Sequence, residues 1–129
     1  MSQFPAPVIG RWMSTNLLTT RPEASLAAAS ETMSEERIRH LLVTDAGGKL
    51  VGILSSRDAN KGEGAVESVM TPRQDLHTAD THEPVKAAAE TMCREKISAL
   101  PVLQGEKLVG IVTSEDLLWA LLQDETHQD

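Results

Sequence analysis

The chain has 129 residues, 40% of them apolar, which is enough for one compact domain or two small lobes that share a core. Nineteen acidic against twelve basic residues leave a net charge of −7, and the aromatics are only two Trp, one Phe and no Tyr. That balance argues against a nucleic-acid binder, which needs a basic footprint or a stacking platform. No apolar run approaches the roughly 18 residues of a membrane span, and "MSQFPAPVIGRWMS" lacks the charged and long apolar regions of a secretory signal. With one cysteine, Cys93, and so no internal disulfide, the expected setting is soluble and cytoplasmic.

In chain order the sequence is written twice. "KLVGILSSRD" from Lys49 to Asp58 returns as "KLVGIVTSED" from Lys107 to Asp116, with seven of ten positions identical. Met13 and Met70, Met33 and Met92, and Gly52 and Gly110 recur at spacings drifting between 57 and 59 residues, the mark of small loop insertions in one common unit. Repeat one spans 8–60 and repeat two 65–123, with a polar, glycine-bearing linker at 61–64 and tails at 1–7 and 124–129.

A short strand opens each repeat. In repeat one, Leu26, Ala29, Ser30 and Met33 fall on one helical face behind Ser25, a good N-cap. In repeat two, Val85, Ala88, Ala89 and Met92 do the same behind Pro84. The runs "IRHLLVTD" and "ISALPVLQ" follow, then glycine-bearing turns and the duplicated segments, which reads as a hairpin in each repeat. A second helix carries Leu117, Leu118, Leu121 and Leu122 in repeat two, whereas Gly62 and Gly64 cut its counterpart short. Each repeat, strand-helix-strand-strand-helix, is too small to bury its own apolar face, so the expected fold is of α/β (α+β) type with two copies packed together.

Each duplicated segment ends in a hydroxyl residue followed three positions later by Asp: Ser55 with Asp58, and Thr113 with Asp116. Such a pair fits a helix capping box. The same geometry suits a nucleotide, because the hydroxyl can reach a phosphate and the carboxylate can accept from two sugar hydroxyls. Enzyme chemistry has little support. His40, His77, His82 and His127 lack the i, i+4 spacing of a metal pair, Cys93 reads as a small, at least half-buried apolar residue, and no phosphate loop or nucleophile motif occurs. Phe4, Trp12 and Trp119 read as core or interface anchors.

Taken together, "VESVMTP", "ISALPV" and "KLVGIVTSED", preceded by "IGRWMST", "IRHLLV" and "KLVGILSSRD", resemble the two halves of a CBS-domain pair, the Bateman module first named for cystathionine β-synthase. The resemblance spans about residues 8–122 and implies two repeats packed about a pseudo-twofold axis. It further implies two clefts that take AMP, ADP, ATP or S-adenosylmethionine, with or without magnesium and with no obligatory cofactor. Carried over by position, the first cleft comprises Ile53, Ser55, Arg57 and Asp58 with Pro72, Leu76, His77, Ile97, Ser98 and Ala99, bordered by Arg39 and His40. The second comprises Ile111, Thr113, Glu115 and Asp116 with Leu17, Leu18, Ile38, Arg39 and His40. Basic residues at Arg39, His40 and Arg57, against Ser98, Ala99 and Glu115 in repeat two, direct phosphates to the first cleft. A bland alternative makes Arg39 and His40 the exposed face of an edge strand and Arg57 a solvated helix start.

The expected role is a stand-alone regulatory module, not an enzyme, that reports ligand occupancy to an unknown partner protein. A homodimer joined through Leu117, Trp119 and Leu121 is expected. The other reading is a ligand-free interaction scaffold.

Overall fold

The computed structural model describes residues 7–60 and 62–127, which form four helices and two sheets. Phe4 and the side chain of His127 lie outside the described residues. The chain divides into two compact units, one made of residues 17–76 and the other of residues 7–16 with 77–127.

The 17–76 unit contains β1 (Thr19–Thr20), α1 (Leu26–Glu36), β2 (His40–Thr44), β3 (Leu50–Ser55), α2 (Ser56–Ala59) and β4 (Thr71–Pro72). Its sheet runs β1-β2-β3-β4, with β1 parallel to β2 and the other pairs antiparallel. Ser25 caps α1 as expected, its Oγ accepting the Ala28 N–H at 3.0 Å. Leu26, Ala29 and Met33 are buried against Leu41, Val43 and Leu54, so helical and strand periodicities meet in one core. The helix stops where Arg37 turns left-handed (φ 57°, ψ 43°) and its N–H returns to the Met33 carbonyl. In the hairpin turn, Asp45 Oδ1 accepts the N–H groups of Gly47 and Lys49, each at 2.9 Å.

The second unit repeats this plan with β5 (Ala79–Asp80), α3 (Val85–Glu95), β6 (Ala99–Gln104), β7 (Lys107–Thr113) and α4 (Ser114–His127), and its sheet runs β5-β6-β7. Val85, Ala88 and Met92 are buried with Leu100, Val102 and Val112, and Lys96 ends α3 at the same left-handed φ of 57° as Arg37.

The units are offset from the sequence repeats. Residues opening repeat one fold onto the sheet of the second unit: Ile9 N–H donates to Glu83 O and Gly10 N–H to Thr81 O, both at 3.0 Å, and Ser14 exchanges two backbone bonds with Ile111 at 2.8 and 3.1 Å. Residues opening repeat two do the equivalent within the 17–76 unit. There Val66 N–H donates to Ala24 O at 2.8 Å, Glu67 N–H to Pro22 O at 2.9 Å, and Thr71 lies opposite Ile53. Ile9 and Val66, equivalent in the two repeats, are both fully buried.

Several expectations change. Leu117 is 5% exposed and belongs to the core, whereas Leu118, Trp119, Leu121 and Leu122 are 59%, 55%, 54% and 53% exposed, so the expected stripe on α4 splits between two faces and Trp119 is no core anchor. Trp12 packs, partly buried, against the core of its unit. Cys93 is exposed rather than packed, because it follows the buried Met92 by one position and so points away from the core. β2 lies between β1 and β3, but β1 pairs only with Leu42 and Val43 and stops short of His40.

Both glycines of the duplicated segment lie under the incoming chain. A Cβ on Gly52 would sit 2.7 Å from both Thr71 O and Met70 Sδ, and one on Gly110 would sit 2.8 Å from Ser14 O and 2.7 Å from Met13 Sδ. Sulfur at the end of a flexible side chain can shift, but a bonded carbonyl cannot move without losing its strand. Gly52→Ala and Gly110→Ala are each expected to cost about 1–3 kcal/mol in chemical or thermal denaturation; wild-type stability in both would contradict this account of the two positions.

Candidate functional site

The hydroxyl-x-x-Asp motifs sit where the second hairpin strand of each unit turns into a helix. Ser55 ends β3 with extended backbone (φ −96°, ψ 155°), and its Oγ accepts the Asp58 N–H at 3.1 Å. The next N–H, of Ser56, donates to the Arg39 carbonyl at 2.8 Å, tying the approach to β2 onto the start of α2. His40 lies directly opposite Ser55 in the β2–β3 register. Thr71 and Pro72 lie opposite Ile53 and Gly52, and Leu76 follows the 3-10 turn Arg73–Asp75 that packs on β3.

The 17–76 unit therefore holds Arg39, His40, Ile53, Ser55, Arg57, Asp58, Pro72 and Leu76 of the first expected set; Arg39, His40, Ser55, Arg57 and Asp58 lie where β2 begins and β3 ends, whereas β4 runs antiparallel to β3, so Pro72, opposite Gly52, and Leu76 beyond it lie back along the strand. His77, Ile97, Ser98 and Ala99 of that set belong to the second unit. Of the second set, Ile111, Thr113, Glu115 and Asp116 lie in the second unit and Leu17, Leu18, Ile38, Arg39 and His40 in the 17–76 unit. Leu18 and Ile38 pack, partly buried, against the core of their unit. His77 places Nε2 3.3 Å from a Glu95 carboxylate oxygen at the end of α3. Thr71, absent from the sequence reading, flanks Ile53; the recurrence of Met13 and Met70 with Gly52 and Gly110 was the signal that marked it.

The two motifs head helices of different length and charge. In the second unit Asp116 Oδ2 accepts from the Thr113 N–H at 2.8 Å and from Thr113 Oγ1 at 3.1 Å, while Thr113 Oγ1 accepts the Asp116 N–H at 3.3 Å. That is a reciprocal capping box at the head of a 14-residue helix. Ser55 caps a helix of four residues, too short for an aligned peptide dipole of consequence. Positive charge there comes from side chains. Arg39 and Arg57 are exposed and His40 is half-buried, whereas the equivalent positions carry Ser98, Ala99 and the exposed Glu115. Burial, and secondarily the neighbouring Arg39 guanidinium, hold the His40 imidazole below its ordinary pKa of 6.5. Among the described residues no three of His, Cys, Asp and Glu converge to hold a metal ion, and no helix is long and apolar enough to cross a membrane.

The family model for the CBS domain matches residues 9–61 and 66–123. A homoserine O-acetyltransferase of Methanococcoides burtonii is 41% identical over 110 residues, which cover 81% of this chain and 22% of that protein. The chain spans about a fifth of the length of such relatives. A CBS domain pair solved with 5-methylthioadenosine and S-adenosyl-L-methionine matches with a TM-score of 0.85 and 31% identity, covering 93% of this chain and 99% of that one. The structure of CBSX2 in complex with AMP matches with a TM-score of 0.82 and 27% identity, covering 92% and 98%.

The lowered His40 pKa sets a direction for stability against pH. Below about pH 6.5 the unfolded chain takes up a proton that the folded imidazole still resists, so stability falls as pH drops through that value until the folded group also titrates. The wild type is expected to lose more melting temperature between pH 7 and pH 5 than His40→Gln. Parallel losses in the two proteins would show that His40 is not so placed.

Proposed function

The chain belongs to the CBS domain family, and from that membership we propose that it is a regulatory module that binds an adenosine-containing ligand and reports its occupancy to a partner protein. The observation that carries this reading is the gathering of Ser55, Asp58, His40 and Arg39 where β2 begins and β3 ends, with Ile53 two residues back along β3 and Pro72 on the strand paired with it. The Asp58 carboxylate suits ribose hydroxyls, the apolar residues suit a purine face, and the basic side chains suit phosphate. On a protein of net charge −7 an incoming phosphate needs local neutralisation, which Arg39, His40 and Arg57 supply. The Thr113–Asp116 motif has Glu115 beside it and its carboxylate engaged in a cap, which suits a less charged adenosyl compound. AMP, ADP or ATP, with or without magnesium, is assigned to the first motif and S-adenosylmethionine or a similar compound to the second. The solved relatives that carry AMP, and methylthioadenosine with S-adenosylmethionine, support both classes.

Signalling by such a module needs no chemistry. A ligand shifts a conformational equilibrium by the difference in its affinity for the two states, and the partner reads the shifted population. The relatives named as enzymes are several times longer than this chain, and the reading assigns it no turnover of its own. A cytoplasmic setting and a homodimer belong to the same reading, the latter through the exposed α4 face of Leu118, Trp119, Leu121 and Leu122.

Thermal unfolding with AMP, ATP and S-adenosylmethionine tests the binding. At a concentration 100 times its dissociation constant, a ligand is expected to stabilise the fold by about 2.7 kcal/mol. Asp58→Ala is expected to abolish the AMP response and Asp116→Ala to leave most of it. The reverse pattern would move the nucleotide to the second motif, and no response to any of the three would favour a ligand-free scaffold. For the assembly, light scattering on Trp119→Glu is expected to show a monomer where the wild type is a dimer; a dimeric variant, or a monomeric wild type, would remove α4 from the interface.

A further inference from the structure

The first motif joins a hydroxyl, a carboxylate and an imidazole in a way that the second does not. His40 faces Ser55 across the β2–β3 ladder, Ser55 Oγ holds the Asp58 N–H, and Arg39 anchors the Ser56 N–H through its carbonyl. At the corresponding place in the other unit, Ala99 faces Thr113 and Ser98 anchors Ser114. Only one of the two motifs thus has a group that can change charge near neutral pH.

We infer that His40 makes ligand binding at the Ser55–Asp58 motif proton-linked, so that the site prefers phosphorylated over unphosphorylated adenosine ligands more strongly as pH falls. The inference rests on the assignment of phosphate to this motif. Free, the half-buried imidazole is neutral at pH 7, because burial and the Arg39 charge both oppose protonation. A phosphate dianion brought against Arg39 and His40 reverses that balance, and the ring takes a proton from solvent. Affinity then carries the difference between the proton's binding to the free and to the occupied site.

The surrounding charges are few. β3, paired along β2, carries no ionisable side chain, and β1 reaches only Leu42 and Val43 and also has none. α2, which follows β3, brings the exposed Arg57 and the half-buried Asp58, and α1, packed against β2, brings the exposed Glu31, Glu35 and Glu36 and, at its C-terminal cap, the exposed Arg37. Of these charges, the neighbouring Arg39 is the one that opposes the protonated ring. A ligand phosphate neutralises that arginine first, which removes the opposition. An uncharged adenosine leaves it in place, so the device separates ligands by phosphate alone.

Titration calorimetry on the full chain decides the matter, with AMP and adenosine as probes and two buffers of different ionisation enthalpy at pH 7.5, where AMP is essentially all dianion. AMP binding is expected to take up a fraction of a proton and adenosine binding none. The ratio of AMP to adenosine affinity is expected to rise on the order of fivefold from pH 8 to pH 6.5 in the wild type and to stay nearly flat in His40→Gln. AMP binding with no proton uptake in the wild type overturns the inference while leaving the nucleotide site intact, and it needs no variant. An equal rise in His40→Gln also overturns it, by assigning the linkage to another group. Failure of both AMP and adenosine to bind at any of these pH values overturns the nucleotide reading itself, and this inference with it.

Discussion

At Gly52 and Gly110 a strand without a side chain lets a second segment of backbone lie directly on it, and both compact units are completed at that contact. In the 17–76 unit the incoming segment carries Met70, Thr71 and Pro72; in the other it carries Met13 and Ser14. Close approach at one residue sets everything beyond it. It puts Thr71 and Pro72 beside Ile53 and Gly52, two and three residues before Ser55, and buries Val66 and Ile9 in the two cores. The apolar wall and the polar end of the candidate site are therefore fixed to each other through β3, with no flexible loop between them.

From that shared plan the two units diverge in charge and in helix length. The second has a long α4 whose first turn is closed by its own aspartate and flanked by Glu115. The first has only four helical residues, since Gly62 and Gly64 follow soon after, and relies on Arg39, His40 and Arg57. A duplicated motif thus heads a 14-residue helix beside Glu115 in one place and a four-residue helix amid basic side chains in the other.

Local order was legible in the sequence because it rests on local rules. Ser25 before Leu26, Ala29 and Met33 announced a capped helix with one buried face, and the Asp45–Gly48 and Gly105 turns announced the hairpins. The exchange of leading segments was not legible. It depends on one- and two-residue pairings such as Ser14 with Ile111, too short to leave a period and joined across most of the chain. Leu117 and Leu118 show a second limit: in a run of alternating leucine pairs, one helical register decides which is core and which is surface, and only packing settles it. Cys93 failed for the same reason, one position past the last buried turn. The site residues were named by position; the ladder makes one pair of them, His40 and Ser55, neighbours in space though fifteen positions apart in the chain.

The two units also differ in continuity. Residues 17–76 close on themselves as one uninterrupted stretch, whereas the other unit joins a segment near the start of the chain to strands near its end. On a ribosome, where residues emerge in order, the uninterrupted unit is complete before most of the other has been made. Residues 7–16 must then wait, with Ile9 and Met13 uncovered, until β7 appears, and over that interval their apolar side chains stand open to a chaperone or to a neighbouring chain.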